Sequence, residues 1–115
     1  MEEPNIFEFL QPIHKVEKDK GDARTPAERF EQFDELNPHV YQMILKVTRQ
    51  LQAKGFKHAG MKMIFERLRW LWAMQTQGED YKLNNNYTAF YARKVMREHP
   101  DLEGFFKVRA QRLAK

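Results

Sequence analysis

Cysteine is missing from all 115 residues, which removes the disulfide framework, the thiolate nucleophile and the Cys-ligated zinc or iron–sulfur centre. No apolar run approaches the roughly 18 residues that a bilayer-spanning helix needs, so no membrane partner is expected. The opening Met1-Glu2-Glu3-Pro4 is acidic where a secretory leader is basic and then apolar, which makes the cytoplasm the expected compartment. Catalytic patterns are equally scarce. The four histidines, His14, His39, His58 and His99, lie far apart, with no His-Glu-x-x-His or comparable metal spacing. Gly55 and Gly60 bracket a counterfeit phosphate loop: Lys62 falls one place late, no Ser or Thr follows it, and helical periodicity precedes where a strand is required. Asp80-Tyr81-Lys82 has the carboxylate-x-lysine order of one class of metal-dependent nucleases, yet neither the sheet edge nor the second metal-sharing acid is predicted. The expectation is a protein without catalytic residues, metal or cofactor, and not an enzyme.

What is present argues for folding. Hydrophobic residues make up 42% of the chain and aromatic residues 13%, more than a disordered chain carries, and the length suits one core rather than two. The net charge of +4 conceals a division. Residues 1–40 hold five Lys or Arg against ten Asp or Glu, a balance of −5, whereas residues 41–115 hold fifteen against six, a balance of +9. Residues 1–24 combine two prolines, a glycine and a charge-dense stretch around Lys15–Asp22, and they read as a flexible acidic arm interrupted by the apolar cluster Ile6-Phe7-Glu8-Phe9-Leu10.

Residues 25–115 read as a single all-α domain, a compact bundle of about five short helices over 26–36, 38–54, 60–77, 86–98 and 102–113. Thr25-Pro26-Ala27-Glu28 is a capping box with proline at the first helical position, and Phe30, Phe33 and Leu36 follow at helical spacing. Asn37-Pro38 repeats the cap-then-proline signal and opens a helix with the stripe Val40, Met43, Ile44, Val47 and Leu51, ended by Gly55. The third helix carries Met61, Ile64, Phe65, Leu68, Leu71 and Trp72 on one face and Met63, Trp70 and Met74 on another, the pattern of a central helix, with Gly78 past its end. The fourth turns Tyr87, Phe90, Tyr91, Val95 and Met96 inward. Asp101 caps a fifth, with Leu102, Phe105, Phe106, Arg109 and Leu113 on one side, although Gly104 disfavours it.

The segment Lys82-Leu83-Asn84-Asn85-Asn86-Tyr87-Thr88, followed by Arg93, Lys94 and Arg97, is the richest in binding chemistry. Amides at a helix start match the adenine edge in a major groove, and cations one or two turns on match phosphates. Lys82, Asn84, Asn85, Asn86, Thr88, Arg93, Lys94 and Arg97 are accordingly the candidate nucleic-acid-binding residues, arranged as in a helix-turn-helix variant with a long turn and favouring DNA over RNA. The same residues also serve as cap, loop hydrogen bonds and solvated face in a chain that binds no nucleic acid. A second basic feature is the turn Lys54, Lys57, His58 with Lys62 and Arg69 beyond it. The alternative reading is a protein-interaction module or inhibitor whose basic face meets an acidic protein and whose Phe7, Phe9 and Leu10 anchor on it. A homodimer is compatible with so many aromatic residues on short helices. The run from Phe30 to Arg109, with Asn37-Pro38-His39-Val40-Tyr41, Phe65-Glu66-Arg67-Leu68-Arg69-Trp70, Leu83-Asn84-Asn85-Asn86-Tyr87 and Tyr91-Ala92-Arg93, resembles small helical proteins of bacteria and their phages. That resemblance implies a compact helical unit in a mobile-element setting and brings no activity or catalytic residue with it.

Overall fold

The computed structural model describes residues 13, 14, 16, 23–76 and 85–107, and only the backbone of 75, 76 and 85. Among these residues there are four α-helices, α1 Pro26–Leu36, α2 Pro38–Ala53, α3 Met61–Thr76 and α4 Thr88–Glu98, with 3-10 turns at Asn85–Tyr87 and Pro100–Leu102. The Ile6–Leu10 cluster, Gly78, the Asp80-Tyr81-Lys82 triplet, Lys82, Asn84 and residues 108–113 lie outside the described residues.

The capping box forms as the sequence predicts. Thr25 Oγ1 accepts from the Glu28 N–H at 3.1 Å and the Glu28 carboxylate accepts from the Thr25 N–H at 2.8 Å, so two amides that α1 cannot satisfy internally are paired. Phe30 and Phe33 are buried, whereas Leu36, expected on the same stripe, is 49% exposed because the chain turns into α2 immediately after it.

Asn37 ends α1 and starts α2, but its side chain does not cap α2. It is fully buried and bridges to His14 instead: Oδ1 accepts from the His14 N–H at 2.7 Å, and Nδ2 donates to the His14 carbonyl at 2.8 Å and to the Phe33 carbonyl at 3.0 Å. A primary amide offers a donor pair and an acceptor in one plane, which matches the N–H and C=O of a single residue. Beside this clamp Ile13 is buried in the core and Val16 packs against it. These residues of the segment expected as an arm are held on the domain.

α2 buries Val40, Met43, Ile44 and Val47, and it accommodates Thr48 in the core because Oγ1 donates to the Ile44 carbonyl at 2.7 Å. It ends in a Schellman turn. The Phe56 N–H bonds the Leu51 carbonyl and the Gly55 N–H bonds the Gln52 carbonyl, both at 3.0 Å, with Gly55 at φ +96°. That backbone region costs a residue with a Cβ about 1–2 kcal/mol, so glycine belongs there.

α3 runs antiparallel to α2. His39, near the start of α2, lies 6.4 Å from Trp72 near the end of α3, while Val47, Leu51 and Lys54 share a groove with Met63, Ile64 and Arg67 at the other end. The face Met61, Ile64, Phe65, Leu68, Leu71 and Trp72 is buried as its spacing predicts. The second apolar face is not: Met63, Trp70 and Met74 are 49%, 55% and 63% exposed. α2 and α4 pack on α3 and bury its first face only, so the helix is central on one side and open on the other.

α4 is the aromatic hub. Tyr91 is fully buried, with ring centroids 4.8 Å from Phe30, 6.2 Å from Tyr41 and 6.0 Å from Phe65, so one side chain joins α1, α2, α3 and α4. Over the described residues after α4, up to 107, the expected fifth helix does not form. Asp101 sits inside a 3-10 turn rather than capping a helix, Gly104 takes φ +82°, and Phe106 forms a parallel bridge with Ala59 through the Ala59 N–H and the Phe105 carbonyl at 3.1 Å. Leu102, Phe105 and Phe106 are buried nonetheless. Their apolarity came from packing as an extended plug against the α2–α3 turn, not from helical periodicity.

Candidate nucleic-acid interface

Two regions were candidates for anion contact, the start of α4 and the α2–α3 turn. At α4 the packing consumes most of what the sequence offered. The helix is entered through the Asn85–Tyr87 turn, and Tyr87, not an asparagine, occupies the cap position with its ring buried 4.8 Å from Phe33. Asn86 is exposed and Thr88 half-buried, and both already have partners within the molecule. Of Asn85 the structure describes only the backbone, and Lys82 and Asn84 lie outside the described residues.

The cations of α4 are mostly engaged. Lys94 forms an ion pair with Asp34 in which both side chains are largely buried, and its Nζ lies 4.2 Å from the centroid of the Tyr41 ring. It was expected among the phosphate contacts, and its geometry instead ties α4 to α1 and α2. Nearby, Tyr41 donates from its hydroxyl to Glu98 Oε1 at 2.8 Å. Burial, helped by Glu98, holds the Tyr41 proton far above the ordinary tyrosine range. Burial does the same for Tyr91, with the Asp34 charge adding to it. The Arg93 guanidinium lies 5.9 Å from the centroid of Phe90, which itself stacks on Phe30 at 5.1 Å, so Arg93 lids an aromatic column. Among the described basic residues expected here, Arg97 alone is exposed. Tyr91, Ala92 and Val95 are buried against the other helices, which leaves α4 a narrow free face and not the broad one that a recognition helix inserts into a groove.

The α2–α3 turn is different. Lys54, Lys57, His58 and Lys62 are all exposed, and no carboxylate among the described residues pairs with the three lysines. Phe56 closes the Schellman turn directly after Gly55, and it is 51% exposed. His58 Nδ1 lies 3.3 Å from the Gly104 carbonyl, which fixes the far side of the loop. Phe56 and Lys57 edge an open hollow of about 340 Å³ also lined by Gln52, Asp101, Glu103 and Phe105. Asp101 is neutralised there: Arg49 Nη2 donates to its Oδ1 at 3.3 Å and a second guanidinium bond goes to Oδ2, which holds the carboxyl below the usual carboxylate range. A second groove, of about 230 Å³, lies between α2 and α3 with Lys54 and Arg67 on its rim and Val47, Leu51, Met63 and Ile64 among its lining residues.

In the sequence this turn is only the second basic feature, and Phe56 does not stand out among nine phenylalanines. The signal was a bulky aromatic directly after the helix-ending glycine, flanked by lysines, where a loop residue facing only solvent is ordinarily polar. The fold separates charge as well. α1 carries Glu28, Glu31, Asp34 and Glu35 against Arg29, and it lies at the opposite end of α2 from the lysine-rich turn, about 24 Å away at 1.5 Å per residue. Among the described residues no group of three His, Asp or Glu is placed to hold a metal, and no helix is long and apolar enough to cross a membrane. Comparison with protein-family models, with curated proteins and with solved structures found no match to this chain.

Proposed function

We propose that the protein is a non-enzymatic nucleic-acid-binding domain that meets the sugar-phosphate backbone through its α2–α3 turn. The observation that carries this reading is the group of exposed lysines, Lys54, Lys57 and Lys62, without carboxylate ion pairs among the described residues and close in sequence to the exposed Phe56. Exposed lysines neutralise phosphates, and an exposed ring next to them in the chain is a platform for an unpaired base. Arg97 and the Asn86 end of α4 are secondary contacts at most, since Lys94 is bound to Asp34 and Arg93 to the Phe90 ring.

A reading of this type predicts affinity without base specificity and with a steep dependence on salt. Anisotropy titrations of labelled 20-nucleotide single strands and of duplex, in 20 mM and 200 mM salt, test it. K54A/K57A/K62A is expected to lower the slope of log K against log salt on single strands by about 2, from roughly 0.7 per phosphate contact. F56A is expected to weaken single strands more than duplex, because stacking on an unpaired base contributes about 1–3 kcal/mol. Absence of binding at 20 mM salt refutes the proposal. A larger loss from R93A/R97A than from the turn variant returns the site to α4.

A further inference from the structure

The exposed face of α3 is unexplained by nucleic-acid binding. Met63, Arg67, Trp70 and Met74 recur at intervals of four, three and four residues, which on a helix of 3.6 residues per turn keeps them within about 60° of one another. The three apolar members are half-exposed or more, and Arg67 lies over Trp70 with its guanidinium carbon 5.4 Å from the ring centroid. The order four, three, four is the same read in either direction. Turned end over end about a point midway between Arg67 and Trp70, the stripe places methionine on methionine and arginine on tryptophan.

We infer that α3 pairs antiparallel with α3 of a second copy of this chain about a two-fold axis at that point. Met63 then packs on the second copy's Met74, and Arg67 moves its existing ring contact to the second copy's Trp70, so the one cation in the stripe stays matched to an aromatic face. Glu66, exposed at the neighbouring position of α3, supplies the opposite charge beside Arg67. An isologous interface requires a patch complementary to itself, and a reversal-symmetric stripe meets that requirement with no other change in the surface. The 16-residue helix gives a footprint about 24 Å long and 10 Å wide. That footprint, about 240 Å² on each copy, is well below the roughly 800 Å² per partner of a standard stable interface, so the dimer is a weak, rapidly reversible one. The pairing sets the two Lys62 side chains about 20 Å apart along the axis, which presents both lysine-rich turns from a single particle.

The chain's lack of cysteine permits a direct test. M63C and M74C, each on the full chain, are oxidised separately and as an equal mixture, in the absence of nucleic acid. In the antiparallel register like positions are about 16 Å apart along the axis while Met63 and Met74 of opposite copies are adjacent, so only the mixture is expected to give a cross-linked dimer. Sedimentation equilibrium between 5 and 500 µM is expected to show a monomer–dimer transition, and W70A, at an exposed position, is expected to raise the dissociation constant at least tenfold while its circular dichroism melt stays at the parent value. Three results overturn the inference: a monomer throughout that range, cross-linking of M63C to itself or M74C to itself as efficiently as to each other, or an unchanged dimer in W70A. None of these readouts involves nucleic acid, so the inference and the proposed function fail or stand separately.

Discussion

Replacing Asn37 by alanine should reveal how much of the domain's stability passes through one amide. Three side-chain hydrogen bonds are lost, two to His14 and one to Phe33. At about 1 kcal/mol each the cost is roughly 3 kcal/mol, moderated because His14 is at the surface and its backbone groups can turn to water. The Phe33 carbonyl keeps its second bond, from the Asn37 N–H at 2.9 Å, and that bond survives the substitution. For a chain of this length about 3 kcal/mol corresponds to a fall in Tm of roughly 10–15 °C. A second background separates the clamp from a general packing effect. Deleting residues 1–16 removes His14 and so two of the three bonds, which leaves N37A about 1 kcal/mol to lose in the truncated chain. The double-mutant cycle, read by urea or thermal unfolding followed at 222 nm, should therefore give a coupling of about 2 kcal/mol between Asn37 and the N-terminal segment. Equal losses in the two backgrounds would refute the reasoning, since they would mean that Asn37 acts through α1 and α2 alone.

Alkaline titration followed at 295 nm should show Tyr41, Tyr87 and Tyr91 silent near pH 10, because burial raises all three. With the folded values above the unfolded one, the stability they contribute is present in full below about pH 10 and declines as pH rises. The three should ionise together with unfolding, and independent titration of Tyr91 before the loss of helical signal would contradict its placement. At the α1–α4 contact, D34A and K94A should each cost about 3 kcal/mol in chemical denaturation, the low end for a largely buried charge left without its partner, and the double variant should cost less than the two combined. Additive losses there would mean that the pair is solvated in solution.

The sequence by itself determined the helices whose signals are local. Thr25-Pro26-Ala27-Glu28 places the start of α1 because a capping box needs only residues within one turn, and Gly55 stops α2 because the left-handed region excludes most side chains. The buried faces of α2 and α3 were equally legible from spacing, since each helix has one stripe that must leave water. What the spacing could not say is which of two apolar stripes finds a neighbour. Met63, Trp70 and Met74 look like core until α2 and α4 are seen to cover only the other face. The same limit decided the candidate site. Lys94 and Arg93 read as free cations along α4, and the tertiary structure placed Asp34 and Phe90 against them, while Lys54, Lys57 and Lys62 form no ion pair with a carboxylate among the described residues. Asn37 carries the same lesson in reverse, a local cap signal redirected to a partner 23 residues away. Periodicity and capping are short-range, set by backbone geometry within a turn or two, whereas the use of a charge or an amide depends on what the fold brings within about 3 Å of it.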